Sequence, residues 1–379
     1  MRRTIEVGFL FSTDGTYKRM GQHGLAGATH ALAEINRNHR YDFQLKATHF
    51  NPQGYLQRYN EGAVAMMESG IRHLFGTTTS ASRKEIIPDL EQNASLLWYA
   101  CPYEGFESSE NVLYLGGCPN QTLIPLLRYA LGTFGKRAML VGSNYIWGWE
   151  SNRIAREVLQ AAHGDVIGEK YIHLGSTNFT DLIQFLLTEQ PAFILNNLVG
   201  ESSYAFLQQL DAACVKEELT LPVLSCNLTE AELAEVGEMQ NLRLLSCGPF
   251  FESVDSAFTQ RQLREHGQQP CSHYYTGTYV AIHLFAEALH HVGSAAPADI
   301  CQYLYAHAQD SVLGRLKISG RNNHSSLPCH IAEYREGRFV VLHSEPHALS
   351  ADPYLTSTDL REFHRLRALA ALPHLRIVK

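Results

Sequence analysis

The chain has 379 residues, 45% of them apolar and 18% charged, a composition that excludes disorder and allows about two domains of roughly 150 residues. Its 31 basic and 38 acidic side chains leave a net charge of −7, so no overall positive field draws in nucleic acid or anionic lipid. No apolar run reaches the roughly 18 residues of a membrane span, so no membrane insertion is expected.

Thr4 to Phe11 reads as a short strand, Ser12-Thr13-Asp14-Gly15 as a turn, and Leu25, Ala28, Leu32 and Ile35 as the inner face of a helix. The unit recurs. A strand over 43–50 precedes a helix carrying Tyr59, Ala63, Met66 and Met67; a strand over 71–76 precedes a helix from Ser82; another strand lies near 96–100. A second series starts after Gly116-Gly117-Cys118-Pro119. It predicts a helix over 122–131, a strand over 138–142, a helix on Ile154, Val158, Leu159 and Ala162, and a strand over 166–174. Strands over 193–199, 221–225 and 244–248 follow, with a helix on Phe206, Leu207, Leu210 and Cys214 after the first and another from Thr229 after the second. Beyond Pro249, helical patterns over 274–291 and 297–308 lead to alternating stretches 329–334 and 338–343, a hairpin turned by Glu336-Gly337. The predicted fold class is α/β, with two doubly wound open sheets end to end and a ligand cleft between them.

In open α/β sheets, ligands bind outside the carboxyl ends of the strands. The segments that matter are therefore Gly76-Thr77-Thr78-Thr79-Ser80, Trp98-Tyr99-Ala100-Cys101-Pro102-Tyr103, Gly142-Ser143-Asn144-Tyr145-Ile146-Trp147 and Asn196-Asn197-Leu198-Val199-Gly200. They carry hydroxyls, amides and aromatic rings and no basic residue, so an anion would find partners only at helix N-termini. Ser82-Arg83-Lys84-Glu85 matches the S-x-x-E capping box and reads as a helix start at Ser82.

Catalytic patterns are missing: no G-x-S-x-G, H-E-x-x-H, G-x-x-x-x-G-K-[ST] or strand-linked G-x-G-x-x-G occurs. Cys101 is the one candidate nucleophile, but nearby Glu104 and Glu107 would raise its pKa and no basic partner is visible. His290-His291 at a helix end suits the helix dipole better than a metal. No cofactor and no metal is expected, and the chain reads as a non-enzyme. The eight cysteines contain no CxxC and read as buried free thiols. Met1-Arg2-Arg3 is followed too soon by Glu6 for a secretory leader, which gives a cytoplasmic expectation, periplasmic if a leader has been trimmed.

Several segments together point to a family. Phe75-Gly76 with Ser80 and Arg83-Lys84, Cys101-Pro102-Tyr103-Glu104-Gly105-Phe106-Glu107, Gly142-Ser143-Asn144-Tyr145-Ile146, Glu150-Ser151-Asn152, Asn322-Asn323-His324-Ser325, Ile331-Ala332-Glu333 and Asp352-Pro353-Tyr354 run in order over nearly the whole chain. In these the sequence resembles the amide receptors that regulate the bacterial aliphatic amidase operon, which are similar to the type I periplasmic binding proteins. The resemblance implies two lobes, residues 1–118 with 249–325 and residues 119–248 with 326–379, closing on a small amide or urea-like ligand. Carried over by position, Ser80, Tyr99, Pro102 and Tyr145 match the ligand-contacting pattern. Thr78, Cys101 and Trp147 depart from it, standing where the family has tyrosine, threonine and tyrosine. The smaller Thr78 implies an amide larger than acetamide, or one with an extra polar group that the threonine hydroxyl can meet.

The resemblance further implies a regulatory partner, an RNA-binding antiterminator protein released on ligand binding, and it leaves a homo-oligomer open. The alternatives are the solute-binding receptor of an ABC importer for amides, urea or branched-chain amino acids, and a hydrolase using Cys101. The tail 359–379 mixes Leu360, Phe363, Leu366 and Leu369 with basic residues and reads as a solvated amphipathic helix end rather than a docking surface.

Overall fold

A computed structural model describes residues 2–267 and 271–365 of the chain. The first half alternates β1 (Arg3–Leu10), α1 (Lys18–Arg37), β2 (Phe43–Phe50), α2 (Leu56–Glu68), β3 (His73–Gly76), α3 (Ser80–Gln92), β4 (Leu96–Tyr99) and β5 (Val112–Tyr114). Its strands form one parallel sheet in the order β2-β1-β3-β4-β5.

The second half continues with α4 (Leu123–Thr133), β6 (Arg137–Ser143), α5 (Ile146–Ala161), β7 (Asp165–Ile172), α6 (Thr180–Glu189), β8 (Phe193–Asn197), α7 (Glu201–Lys216), β9 (Leu221–Ser225), α8 (Leu233–Val236) and β10 (Leu242–Gly248). The chain then forms α9 (Ser256–His266), α10 (His273–Val292), α11 (Pro297–Ala306), β11 (Gln309–Ser311), β12 (Gly314–Leu316), β13 (His330–Arg335) and β14 (Arg338–Ser344). The second sheet is ordered β14-β13-β10-β9-β8-β6-β7. The predicted hairpin β13–β14 lies at its edge, with β13 antiparallel to β10.

Local sequence explains these elements. β8 (FILNN) is buried along its whole length, as expected where helices cover both faces of a parallel sheet. Each fully buried aliphatic side chain there contributes about 1.5–3 kcal/mol. Helix α1 buries a stripe containing Gly24, Gly27, Ala28 and Ala31. A Cβ at Gly27 would stand 2.2 Å from the Tyr275 carbonyl oxygen, so the missing side chain lets α1 and α10 touch backbone to backbone. Helix α10 is apolar on nearly every face and is correspondingly enclosed.

Three departures from the sequence reading have physical causes. The helix expected from Thr229 is a 3-10 turn over Glu230–Glu232 running into the short α8, which ends at Gly237 with φ 77°. Helix α9 was not expected because it buries only Phe258 and Gln262 and so shows no apolar period. The three-residue β5 is too short to show a pattern.

The chain passes between the sheets after β5, after β10 and before β13. Its last described stretch touches both halves: Phe106 N donates to Pro353 O at 2.8 Å, and Phe363 is fully buried in the core cluster that includes α4 and α5. Of the tail read as an amphipathic helix, Leu360–Arg365 is a 3-10 turn and 366–379 lie outside the described residues.

Candidate ligand-binding site

Six strand ends converge on one small cavity between the sheets. Tyr17 and Met20 follow β1, Thr78, Thr79 and Ser80 follow β3, Cys101 and Pro102 follow β4, Tyr145 and Trp147 follow β6, Val199 follows β8 and Asn227 follows β9. Tyr274, in the first turn of α10, completes the lining. The space left between these residues is small, about 20 Å³. A groove of about 860 Å³ exists elsewhere, but it lies by Leu96 and Asn111, at the amino ends of β4 and β5, and gathers no strand ends.

Backbone geometry positions the first wall. Gly76 has φ +136°, and a Cβ there would stand 2.3 Å from Leu10 O, so only glycine lets β3 pass into the three threonines. Helix α3 starts at Ser80, two residues before the expected start. Its N-cap is Thr79, whose Oγ1 accepts from Ser82 N at 3.2 Å while Thr79 N donates to Ser82 Oγ at 3.1 Å. The predicted Ser82–Glu85 box is thus replaced by a Thr79–Ser82 box, and Glu85 is exposed.

Ser80, free of a capping role, donates to the buried Glu104 carboxylate and lines the cavity. Below it, Arg83 is fully buried, giving Glu107 hydrogen bonds of 2.6 and 3.2 Å and standing 3.4 Å from Glu104. Lys84 adds a contact of 2.6 Å to Glu107, so two cations face two acidic side chains. Burial opposes ionisation of Glu107, but Arg83 and Lys84 prevail and hold its carboxyl down at about 2.

Tyr99 does not line the cavity. Its ring lies 4.7 Å from the Arg83 guanidinium, and its hydroxyl is 3.5 Å from the carbonyl oxygens of Thr78 and Pro102. The sequence reading placed this ring against the ligand; the structure places it one layer behind, as a cation–π partner. The other six sequence-derived residues, Thr78, Ser80, Cys101, Pro102, Tyr145 and Trp147, all line the cavity.

Two of these six hold polar atoms without hydrogen bonds, Trp147 Nε1 and Thr78 Oγ1, although both residues are buried. The indole nitrogen can only donate, so it calls for an acceptor such as a carbonyl oxygen. The threonine hydroxyl can donate or accept, and the Tyr59 phenol lies within its influence. No lysine, arginine or histidine lines the space.

The second wall treats acids differently. Glu230 and Glu232 are buried beside Asn227, and burial pushes both carboxyls up to about 8, favouring their neutral form. Glu232 accepts from Thr229 N and Tyr204 OH, each at 3.1 Å, and Glu230 accepts from Glu252 N at 2.9 Å.

Cys101 is 3.6 Å from Thr77 O, and burial pushes its thiol up to about 12. The sequence showed no basic partner; Arg83 supplies positive charge but burial outweighs it. All eight cysteines are buried free thiols. Among the described residues the one cluster of metal-type donors, Glu34, Glu265 and His266, lies outside the cavity and does not include His290 or His291.

Sequence reasoning missed Tyr17, Met20, Asn227 and Tyr274. The first three follow strands that it had identified, so the strand-end rule applied to β1 and β9 would have found them. Tyr274 opens a helix reached through a long connection and carried no such signal.

No helix among the described residues is long and apolar enough to cross a membrane. A solute-binding protein of an ABC transporter from Rhodopseudomonas palustris, solved with benzoate, superposes with a TM-score of 0.81 at 16% identity, covering 92% of this chain and 98% of that one. A second from R. palustris HaA2, solved with p-hydroxybenzoic acid, gives 0.81 at 16% identity over 94% and 100% of the two chains. The branched-chain amino acid binding protein LivJ of Streptococcus pneumoniae, solved with isoleucine, gives 0.79 at 15% identity over 90% and 99%. A curated relative, limonene hydroxylase of Geobacillus stearothermophilus, is 29% identical over 119 residues; the match spans 30% of this chain and only 22% of that protein. The pattern of the periplasmic binding protein domain matches residues 5–359, and the chain belongs to that family.

Proposed function

We propose that this protein is a non-enzymatic receptor for one small uncharged carbonyl compound, a short amide or urea. The observation that carries this is the unpaired Trp147 Nε1 donor on a cavity of about 20 Å³ that has no cation in its lining. A carbonyl oxygen satisfies the indole, and the ligand's N–H groups find acceptors in the hydroxyls of Ser80, Thr78 and Tyr145. A carboxylate, such as the benzoate or isoleucine of the neighbouring structures, would lack a counter-charge here. Residues 1–118 with 249–325 and 119–248 with 326–379 form the two bodies that close on the ligand, and binding favours closure only as far as the ligand contacts both walls.

The family and its ABC-transporter neighbours support a reading in which the solute is delivered to a permease, a role carried out outside the cytoplasm. A second reading, a cytoplasmic sensor that releases an antiterminator partner, is favoured by one observation: all eight thiols are unpaired, the state a reducing compartment maintains. Cell fractionation separates the two readings. The receptor function itself is tested by thermal shift with acetamide, urea, benzoate and isoleucine, because a ligand of the folded state raises the melting temperature by mass action. Acetamide or urea is expected to raise it while benzoate and isoleucine do not; the reverse ranking refutes the reading.

A further inference from the structure

We propose that Arg19 and Glu235 form an electrostatic latch across the mouth of the cleft, setting how readily the two halves stay closed. The inference rests on the receptor reading, since it concerns the closure that reading requires. Arg19 lies in the first turns of α1, between the cavity residues Tyr17 and Met20, and Glu235 lies on α8 in the other half. Arg19 Nε and Nη2 both reach Glu235 Oε1, at 2.7 and 2.5 Å. Among ion pairs of the described residues, this one alone joins a helix packed on the first sheet to one packed on the second. The others stay within a half, as Arg40–Glu287 and Arg137–Glu189 do.

Both partners are anchored. Helix α1 is held against α10 through Gly27. Helix α8 is tied to α7 by Gln208 Nε2 donating to Glu235 O at 2.7 Å and, one turn earlier, by Tyr204 on Glu232. The pair therefore links two rigid bodies rather than two free side chains. A second close approach confirms the meeting of the halves at this rim: a Cβ at Gly200, on the second half, would stand 2.3 Å from Thr16 O. The side chains are 37% and 30% exposed, so water and salt reach the pair. That exposure limits the latch to a modest bias and makes it sensitive to ionic strength, because the screening length falls from about 10 Å at 0.1 M salt to about 3 Å at 1 M. A receptor of a neutral ligand thereby acquires a salt dependence that its cavity cannot provide.

The test uses the full chain as parent, Arg19→Gln, Glu235→Gln and the charge swap Arg19→Glu with Glu235→Arg. Small-angle scattering at low and high salt reads the radius of gyration without any ligand, and thermal melts confirm folding. The latch predicts a larger radius for each single variant in low salt, recovery of the parent radius by the swap, and expansion of the parent toward the variants in high salt. In acetamide titrations it predicts binding about two- to five-fold weaker for the single variants. Identical radii and salt responses in parent and single variants overturn the latch. If acetamide and urea leave every melting temperature unchanged, the receptor reading fails instead, and the radii still decide the latch.

Discussion

Behind the wall built from the first sheet, Glu107 is an anion locked against Arg83 and Lys84, whereas behind the second-sheet wall Glu230 and Glu232 are held as neutral acids by burial. The first arrangement packs tyrosine rings against a guanidinium buried from solvent, with Tyr99 at 4.7 Å and Tyr103 at 4.6 Å. The second offers amides and aromatic edges, among them Asn227 and the unpaired Trp147 indole. One wall is stiff because moving any member strands a buried charge. The other can meet a ligand without disturbing an ion pair. The contrast assigns stability chiefly to the first wall and recognition to the contacts that cross to the second.

The largest effect that would break this contrast is on folding. Arg83→Gln removes the buried cation that faces the buried Glu104 and the partly buried Glu107, and is expected to cost about 3–5 kcal/mol in denaturant unfolding. A loss under 1 kcal/mol would show that the cluster is not what holds the first wall.

The two walls also answer pH in opposite senses. Glu107, depressed from its ordinary 4.5 to about 2, contributes stability that is present above about pH 4.5 and is lost as pH falls toward 2. Glu230 and Glu232, raised from 4.5 to about 8, contribute stability that is full below about pH 4.5 and is lost as pH rises through 8. Melting temperature should therefore peak between these limbs, near pH 5. Glu232→Gln, which preserves the capping geometry without a proton to lose, should flatten the alkaline limb; an unchanged limb assigns it elsewhere.

Thr78→Tyr sharpens the size argument. Overfilling a closed cavity commonly costs about 1 to 3 kcal/mol, so calorimetry with acetamide should show binding weakened by that amount. Stronger acetamide binding in the variant would restore the expectation of a larger natural ligand.

The smallest effects compare two aromatic residues. Trp147→Phe removes the unpaired indole donor and should cost about 0.5–1.5 kcal/mol of acetamide binding. Tyr99→Phe, one layer back, should leave affinity unchanged. Equal losses in the two variants would place Tyr99 in contact with the ligand after all.

Much of this was legible in the sequence because parallel strands buried on both faces announce themselves as apolar runs, as 137–143 and 221–225 do. The strand-end segments contain the seven residues that the resemblance singled out, and six of them line the cavity. Tyr99 misled because it still belongs to β4 and its ring packs on the buried Arg83, whereas Cys101 and Pro102 lie beyond the strand end and reach the cleft. The start of α3 was misread because Thr79 and Ser82 share the cap, a reciprocity that the more familiar serine–glutamate spacing concealed. Polar α9 and the turn at Glu230–Glu232 carried no periodic signal, yet the latter supplies both buried neutral acids.

The central claim, recognition of a neutral carbonyl by a wall without cations, is tested most directly by a paired calorimetric titration of acetamide and acetate, which match in shape and differ in charge. The account predicts saturable binding of acetamide and none of acetate at equal concentration. Acetate binding as tightly as acetamide would contradict it.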